Sequence, residues 1–110
     1  MAVVALDVVP SIPNYRFTSD LEGVTYIFDL RWNARAQAWF MDLLEEDETP
    51  IRHGMKLVLG TLIGSDTKSD KMPPGRFVVE DASGENTDAT LDDFGVRVFL
   101  YYFDSEEVNG

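Results

Sequence analysis

Val24-Thr25-Tyr26-Ile27-Phe28-Asp29-Leu30-Arg31-Trp32 is the stretch that decides the fold class. Val24, Tyr26, Phe28, Leu30 and Trp32 fall on one side of an extended chain, and Thr25, Asp29 and Arg31 on the other, with Ile27 as the exception. Successive side chains of a strand point to opposite faces, so this period of two describes a half-buried β-strand. Upstream, Tyr15 and Phe17 alternate with Arg16 and Thr18, and Asp20-Leu21-Glu22-Gly23 supplies turn residues. The two segments therefore read as a hairpin.

The same pattern recurs downstream. After a turn at Asn33 to Gln37, Trp39, Met41 and Leu43 alternate with Phe40, Asp42 and Leu44. Ala34-Arg35-Ala36-Gln37-Ala38 has helix-forming character, and a helix running on to Leu44 is the competing reading, because periodicity alone does not assign short apolar runs. Glu45, Glu46, Asp47 and Glu48 before Pro50 predict a solvated turn. Ile51, His53, Met55, Leu57 and Leu59 share one predicted face, with Gly54 marking a bulge or a close backbone approach. Gly60 to Gly75 reads as a long polar loop, followed by a short strand from Arg76 to Glu80 and a second polar, acidic loop from Asp81 to Asp93.

The last predicted strand runs from Phe94 to Phe103. Phe94, Val96, Val98, Leu100 and Tyr102 lie on one face, and Arg97, Phe99, Tyr101 and Phe103 on the other. A strand apolar on both faces is either central in a sandwich or covered by a partner. Phe99, Tyr101 and Phe103 are therefore the interface candidates. The expected fold is all-β, a single small antiparallel β-sandwich or barrel-like domain over residues 1–110 with one or two long polar loops and a polar tail at 104–110. Tyr26, Phe28, Trp32, Trp39, Leu57, Val98 and Leu100 are expected in its core.

Composition narrows the function classes. The 110 residues carry 20 Asp and Glu against 9 Lys and Arg, a formal net charge of −11 that repels a phosphate backbone. Nucleic acid and anionic membrane are not expected partners. Aromatic content of 12% and hydrophobic content of 45% exceed what a disordered acidic chain carries. The first ten residues have no basic n-region, and no stretch reaches the ~20 apolar residues of a membrane span. The expectation is a soluble protein made in the cytoplasm.

Chemistry finds few candidates. With no cysteine, thiolate catalysis, disulfides and sulfur-ligated zinc are absent. His53 is the single histidine and reads as a hydrogen-bonded packing residue. Ser11, Ser19, Ser65, Ser69, Ser83 and Ser105 lack a nucleophile-elbow context. The stretch from Asp81 to Asp88 has oxygen ligands at alternate positions but not the spacing or terminal glutamate of an EF-hand. The glycines Gly54, Gly60, Gly64 and Gly75 are too dispersed to cradle a phosphate. No catalytic, metal or cofactor site is expected, and no cofactor.

The order of the segments carries a resemblance. A short apolar strand ends in Val9-Pro10, and a Phe17 strand leads to Asp20-Leu21-Glu22-Gly23. There follow Tyr26-Ile27-Phe28-Asp29-Leu30-Arg31-Trp32-Asn33, Trp39-Phe40-Met41-Asp42-Leu43 and an acidic turn into Pro50-Ile51. Then come Gly54-Met55-Lys56-Leu57-Val58-Leu59-Gly60, Pro74-Gly75-Arg76-Phe77, Asp81-Ala82-Ser83-Gly84 and Asp93-Phe94-Gly95-Val96-Arg97-Val98-Phe99-Leu100-Tyr101-Tyr102. Over nearly the whole chain this resembles the baseplate plug family of contractile-tailed phages, with Phe94 where the family usually has Leu. The resemblance implies a non-enzymatic virion component at the centre of the tail baseplate, made in the host bacterial cytoplasm. It also implies several copies in contact with hub, spike or tube-end proteins, and it carries no catalytic residues. The alternative is a free-standing β-sandwich module that recognises protein or carbohydrate, with a small acidic hydrolase third.

Overall fold

The computed structural model describes residues 3–60, 62–64, 70–85 and 87–104. Its regular structure is entirely strand: β1 (Val3–Ala5), β2 (Asn14–Leu21), β3 (Val24–Asn33), β4 (Ala38–Glu45), β5 (Pro50–Lys56), β6 (Leu62–Ile63), β7 (Arg76–Asp81) and β8 (Val98–Phe103). Strands β2 to β5 form one antiparallel meander, and the other sheet has the order β1-β8-β7-β6, also antiparallel throughout. The chain thus starts in one sheet, builds the whole second sheet, and returns.

Local chemistry explains the meander. At the β2–β3 turn, Glu22 and Gly23 both have positive φ, 54° and 84°, the geometry of the two-residue turn whose twist matches flanking strands. Between β3 and β4 the Asn33 side-chain oxygen accepts hydrogen bonds from the amides of Arg35 and Ala36, each at 3.0 Å. That Asx turn reverses the chain, and β4 then pairs along both edges, with β3 and β5. The competing helix through Leu44 is overruled: Ala38–Glu45 is a strand whose backbone pairs with β3 along one edge and with β5 along the other.

The sheets pack face to face around aromatic side chains. Phe28 meets Phe77 edge-on across the interface, with centroids 5.9 Å apart, and Phe77 packs on Tyr102 at 5.1 Å. At the other end Trp39 touches Phe94 at 5.4 Å, Trp32 at 5.7 Å and Tyr15 at 6.0 Å. Of the expected core residues, Tyr26, Phe28, Trp39, Leu57, Val98 and Leu100 are buried, while Trp32 is half-buried against the cluster. The Trp39 indole donates to the Thr90 carbonyl at 3.1 Å, satisfying the polar end of the largest core side chain.

Three expectations are corrected. The final strand begins at Val98, not Phe94, because the Asp93 carbonyl gathers the amides of Val96, Arg97 and Val98 into a tight turn. Gly95 sits in that turn at φ 98°, where an added Cβ would lie 2.8 Å from the Val8 carbonyl oxygen. Val96 is consequently 64% exposed rather than in the core, and Arg97 leaves the row of Phe99, Tyr101 and Phe103. His53 points outward, because β5 shifts register against β4 twice and Gly54 takes φ 68°. The expected loop from Gly60 to Gly75 contains β6, paired with β7; its residues 61 and 65–69, and the tail 105–110 with Ser105, lie outside the described residues.

Phe28→Ala should lower unfolding stability by about 3–5 kcal/mol in urea titrations, the range for truncating a buried aromatic ring. A loss below ~0.5 kcal/mol, typical of a surface site, would contradict the placement of Phe28 between the sheets.

Candidate functional site

Each sheet buries one face and turns the other outward, and the two outer faces differ in chemistry. On the β1-β8-β7-β6 sheet the register places Phe103 beside Val3 and Arg76, Tyr101 beside Ala5 and Val78, and Phe99 beside Glu80, all projecting away from the core. Leu62 stands beside Val78. Phe99 and Tyr101 are in ring contact at 6.4 Å and, like Phe103, are half-buried. Val3 and Leu62 flank them at 49% and 46% exposure. The three predicted interface residues therefore come together as one outward row, with apolar neighbours on both sides.

The second sheet presents a ladder of charges. Arg16 grips both oxygens of Asp29 across the β2–β3 pair, at 2.6 and 2.9 Å, and reaches Glu48 at 2.8 Å. These carboxylates hold the guanidinium above its ordinary arginine value, Asp29 first. On β4, Asp42 is buried although it projects from the outer face. It accepts hydrogen bonds from the Gly54 amide at 2.8 Å and from Arg31, and His53 Nδ1 lies 3.3 Å away. Burial opposes the charge on Asp42, but the Gly54 amide, Arg31 and His53 together outweigh it and hold the carboxyl below its ordinary value. None of the described serines bonds His53: Ser11 donates to Asp92 and Ser83 to Asp81.

The acidic loop from Asp81 to Asp93 is organised by an internal cation. Arg97 donates to Asp81 at 2.6 Å, to Asp93 at 2.9 and 3.1 Å, and to the carbonyls of Thr87 and Asp88 at 3.1 and 3.2 Å. Its guanidinium is held above the ordinary arginine value, chiefly by Asp93. A period of two puts Arg97 on the aromatic face and gives no sign of this role beyond one arginine close to a run of acids. Asp88 also accepts the Leu59 amide at 2.9 Å, which ties the loop to the end of the β5 segment.

An outward aromatic row with exposed apolar neighbours on its sheet is the kind of surface on which protein contacts centre. A family model described as cyanophage baseplate Pam3 plug gp18 matches residues 3–106. The chain belongs to that phage baseplate plug family. Plug-family membership makes it a structural protein of the phage tail baseplate and so of the virion. Comparison with curated proteins gives no match. The matched residues run from β1 through β8.

The Asp42 cluster has a pH signature. A carboxyl whose pKa is lowered in the folded state adds stability above the unfolded value of about 3.9, and that stability is lost as pH falls through the lower folded value. Asp42→Asn should therefore flatten the acid limb of the stability curve between pH 7 and pH 2.5, measured by urea unfolding. Parallel curves for the two proteins would show that Asp42 is not held by Gly54, Arg31 and His53.

Proposed function

We propose that this plug-family chain is a non-enzymatic component seated at the centre of a contractile-tail baseplate. Its residues 1–110 act there as one β unit, present in several copies and in contact with hub, spike or tube-end proteins after synthesis in the host cytoplasm. The observation that carries the reading is the row Phe99, Tyr101 and Phe103 on the outward face of β8, beside exposed Val3 and Leu62. Aromatic anchors surrounded by a polar rim are the usual centre of a specific protein contact. Here Arg76 and Glu80 on β7 lie at the ends of the row and supply part of that rim. The net charge of −11 would steer a basic partner surface to the contact and repel another acidic one. Because Asp81 and Asp93 are engaged by Arg97, the steering falls to the remaining acids rather than to the whole 81–93 loop.

Tyr101→Ser combined with Phe103→Ser tests the row. Both rings are only half-buried, so the variant should lose about 2 kcal/mol or less of unfolding stability, below the value for burying two full side chains. Its incorporation into tail particles, read from purified particles by quantitative mass spectrometry, should fall at least ~10-fold, the equivalent of about 1.4 kcal/mol of binding. A folded variant that assembles at wild-type level would remove these residues from the contact.

A further inference from the structure

The edges of the two sheets are treated unequally. Strands β1 and β6, the edges of one sheet, are three and two residues long, and β5, one edge of the other, is bulged by two register shifts. Short or bulged edges are how sheet proteins avoid pairing with other chains. Strand β2 is different: it runs eight residues with an unbroken register against β3 and no proline inside it.

Which of its backbone groups point outward follows from the ladder. The Trp32 amide donates to the Pro13 carbonyl at 2.7 Å, so the pair Pro13 and Trp32 is hydrogen-bonded. In an antiparallel pair such positions alternate, and residues 15, 17, 19 and 21 therefore also bond β3. The amides and carbonyls of Asn14, Arg16, Thr18 and Asp20 face away from the sheet, and no partner for them exists among the described residues. Charged side chains normally guard such an edge. Arg16, however, is drawn back over the sheet by Asp29 and Glu48, and the Asp20 carboxylate accepts the Thr25 hydroxyl on β3. Both guards are turned from the edge they would protect.

We propose that β2 accepts an added strand from a neighbouring baseplate protein, one that alternates apolar and basic residues. The apolar positions of the incoming strand extend the inner face at half-buried Tyr15 and Phe17. A basic residue of the incoming strand stands on the outer face beside Asp20, where opposite charges directly across a pair are favourable, Arg16 on the same row being already paired with Asp29 and Glu48, and the net charge of −11 attracts such a strand and disfavours a second copy of this chain. Main-chain bonds to four consecutive outward positions give the affinity, and the alternating side chains give the selectivity.

This inference rests on the baseplate reading, and amide hydrogen exchange separates the two. In the isolated chain, residue-resolved exchange should be fast at Arg16, Thr18 and Asp20 and slow at Tyr15, Phe17 and Ser19. In intact tail particles the three fast amides should slow by about 100-fold or more. If the chain is present in the particle and these amides still exchange freely, strand addition is wrong while the baseplate reading stands; if the chain is absent from the particle, both fall. Thr18→Pro removes one outward donor without touching a bond to β3. A folded Thr18→Pro protein should incorporate at least ~10-fold less well, and wild-type incorporation would overturn the proposal. Should that variant not fold, the exchange pattern of the wild-type chain alone decides.

Discussion

The buried hydroxyl of Tyr102 is the constraint around which the two sheets are aligned. The ring lies fully inside the sandwich, packed on Phe77, and its phenol must be hydrogen-bonded there because an orphaned buried hydroxyl costs about 1–3 kcal/mol. It donates to the Glu22 carboxylate at the β2–β3 turn and accepts the Gly75 amide at 2.7 Å at the start of β7. Burial and the neighbouring Glu22 charge both push the phenol above its ordinary value, so it stays a donor across the physiological range. One side chain of β8 thereby fixes the tip of the other sheet's hairpin against its own neighbour. Gly75 has no alternative in this arrangement, since an added Cβ would sit 2.0 Å from the Phe103 carbonyl oxygen and 2.6 Å from the Tyr102 ring.

That alignment determines what is left for partners. With Phe77, Val79, Val98, Leu100 and Tyr102 turned inward, the alternate residues of β7 and β8 are committed to the outside, and three of them are aromatic. The opposite sheet resolves the same geometry differently. Its outer face carries Arg16, Asp29, Arg31 and Asp42, whose charges neutralise one another within the sheet. Among the described residues, the apolar outer face of β8 and the outward edge of β2 are two surfaces that this pairing of charges does not occupy.

Much of this was legible in the chain. Val24 to Trp32 alternates cleanly enough to predict β3, and Asp20-Leu21-Glu22-Gly23 predicts a turn, which its last two residues, Glu22 and Gly23, make at positive φ. Phe99, Tyr101 and Phe103 could be grouped because period two is a local property of any strand. What could not be read depended on backbone geometry and packing that a period of two does not encode. The Asp93 carbonyl and the close approach of Gly95 to Val8 convert an alternating run from Phe94 into a turn, and nothing in that run betrays it. The bulge near Gly54 moves His53 to the outer face by slipping one strand against another, and a one-residue slip exchanges the faces of every residue beyond it. Strand β6, at two residues, is too short to show any period. The Arg97 hub draws on acceptors up to sixteen residues away and has no motif.

On the proposed reading, β8 gives Val98, Leu100 and Tyr102 to the core and offers Phe99, Tyr101 and Phe103 to a partner. Hydroxyl-radical footprinting of the isolated chain and of purified tail particles measures that division directly, since aromatic rings oxidise according to their exposure. Phe28 and Phe77 should stay unreactive in both samples, while Phe99, Tyr101 and Phe103 should be oxidised in the isolated chain and protected in the particle. Equal oxidation of the three rings in both samples, with the chain present in the particle, would contradict the account.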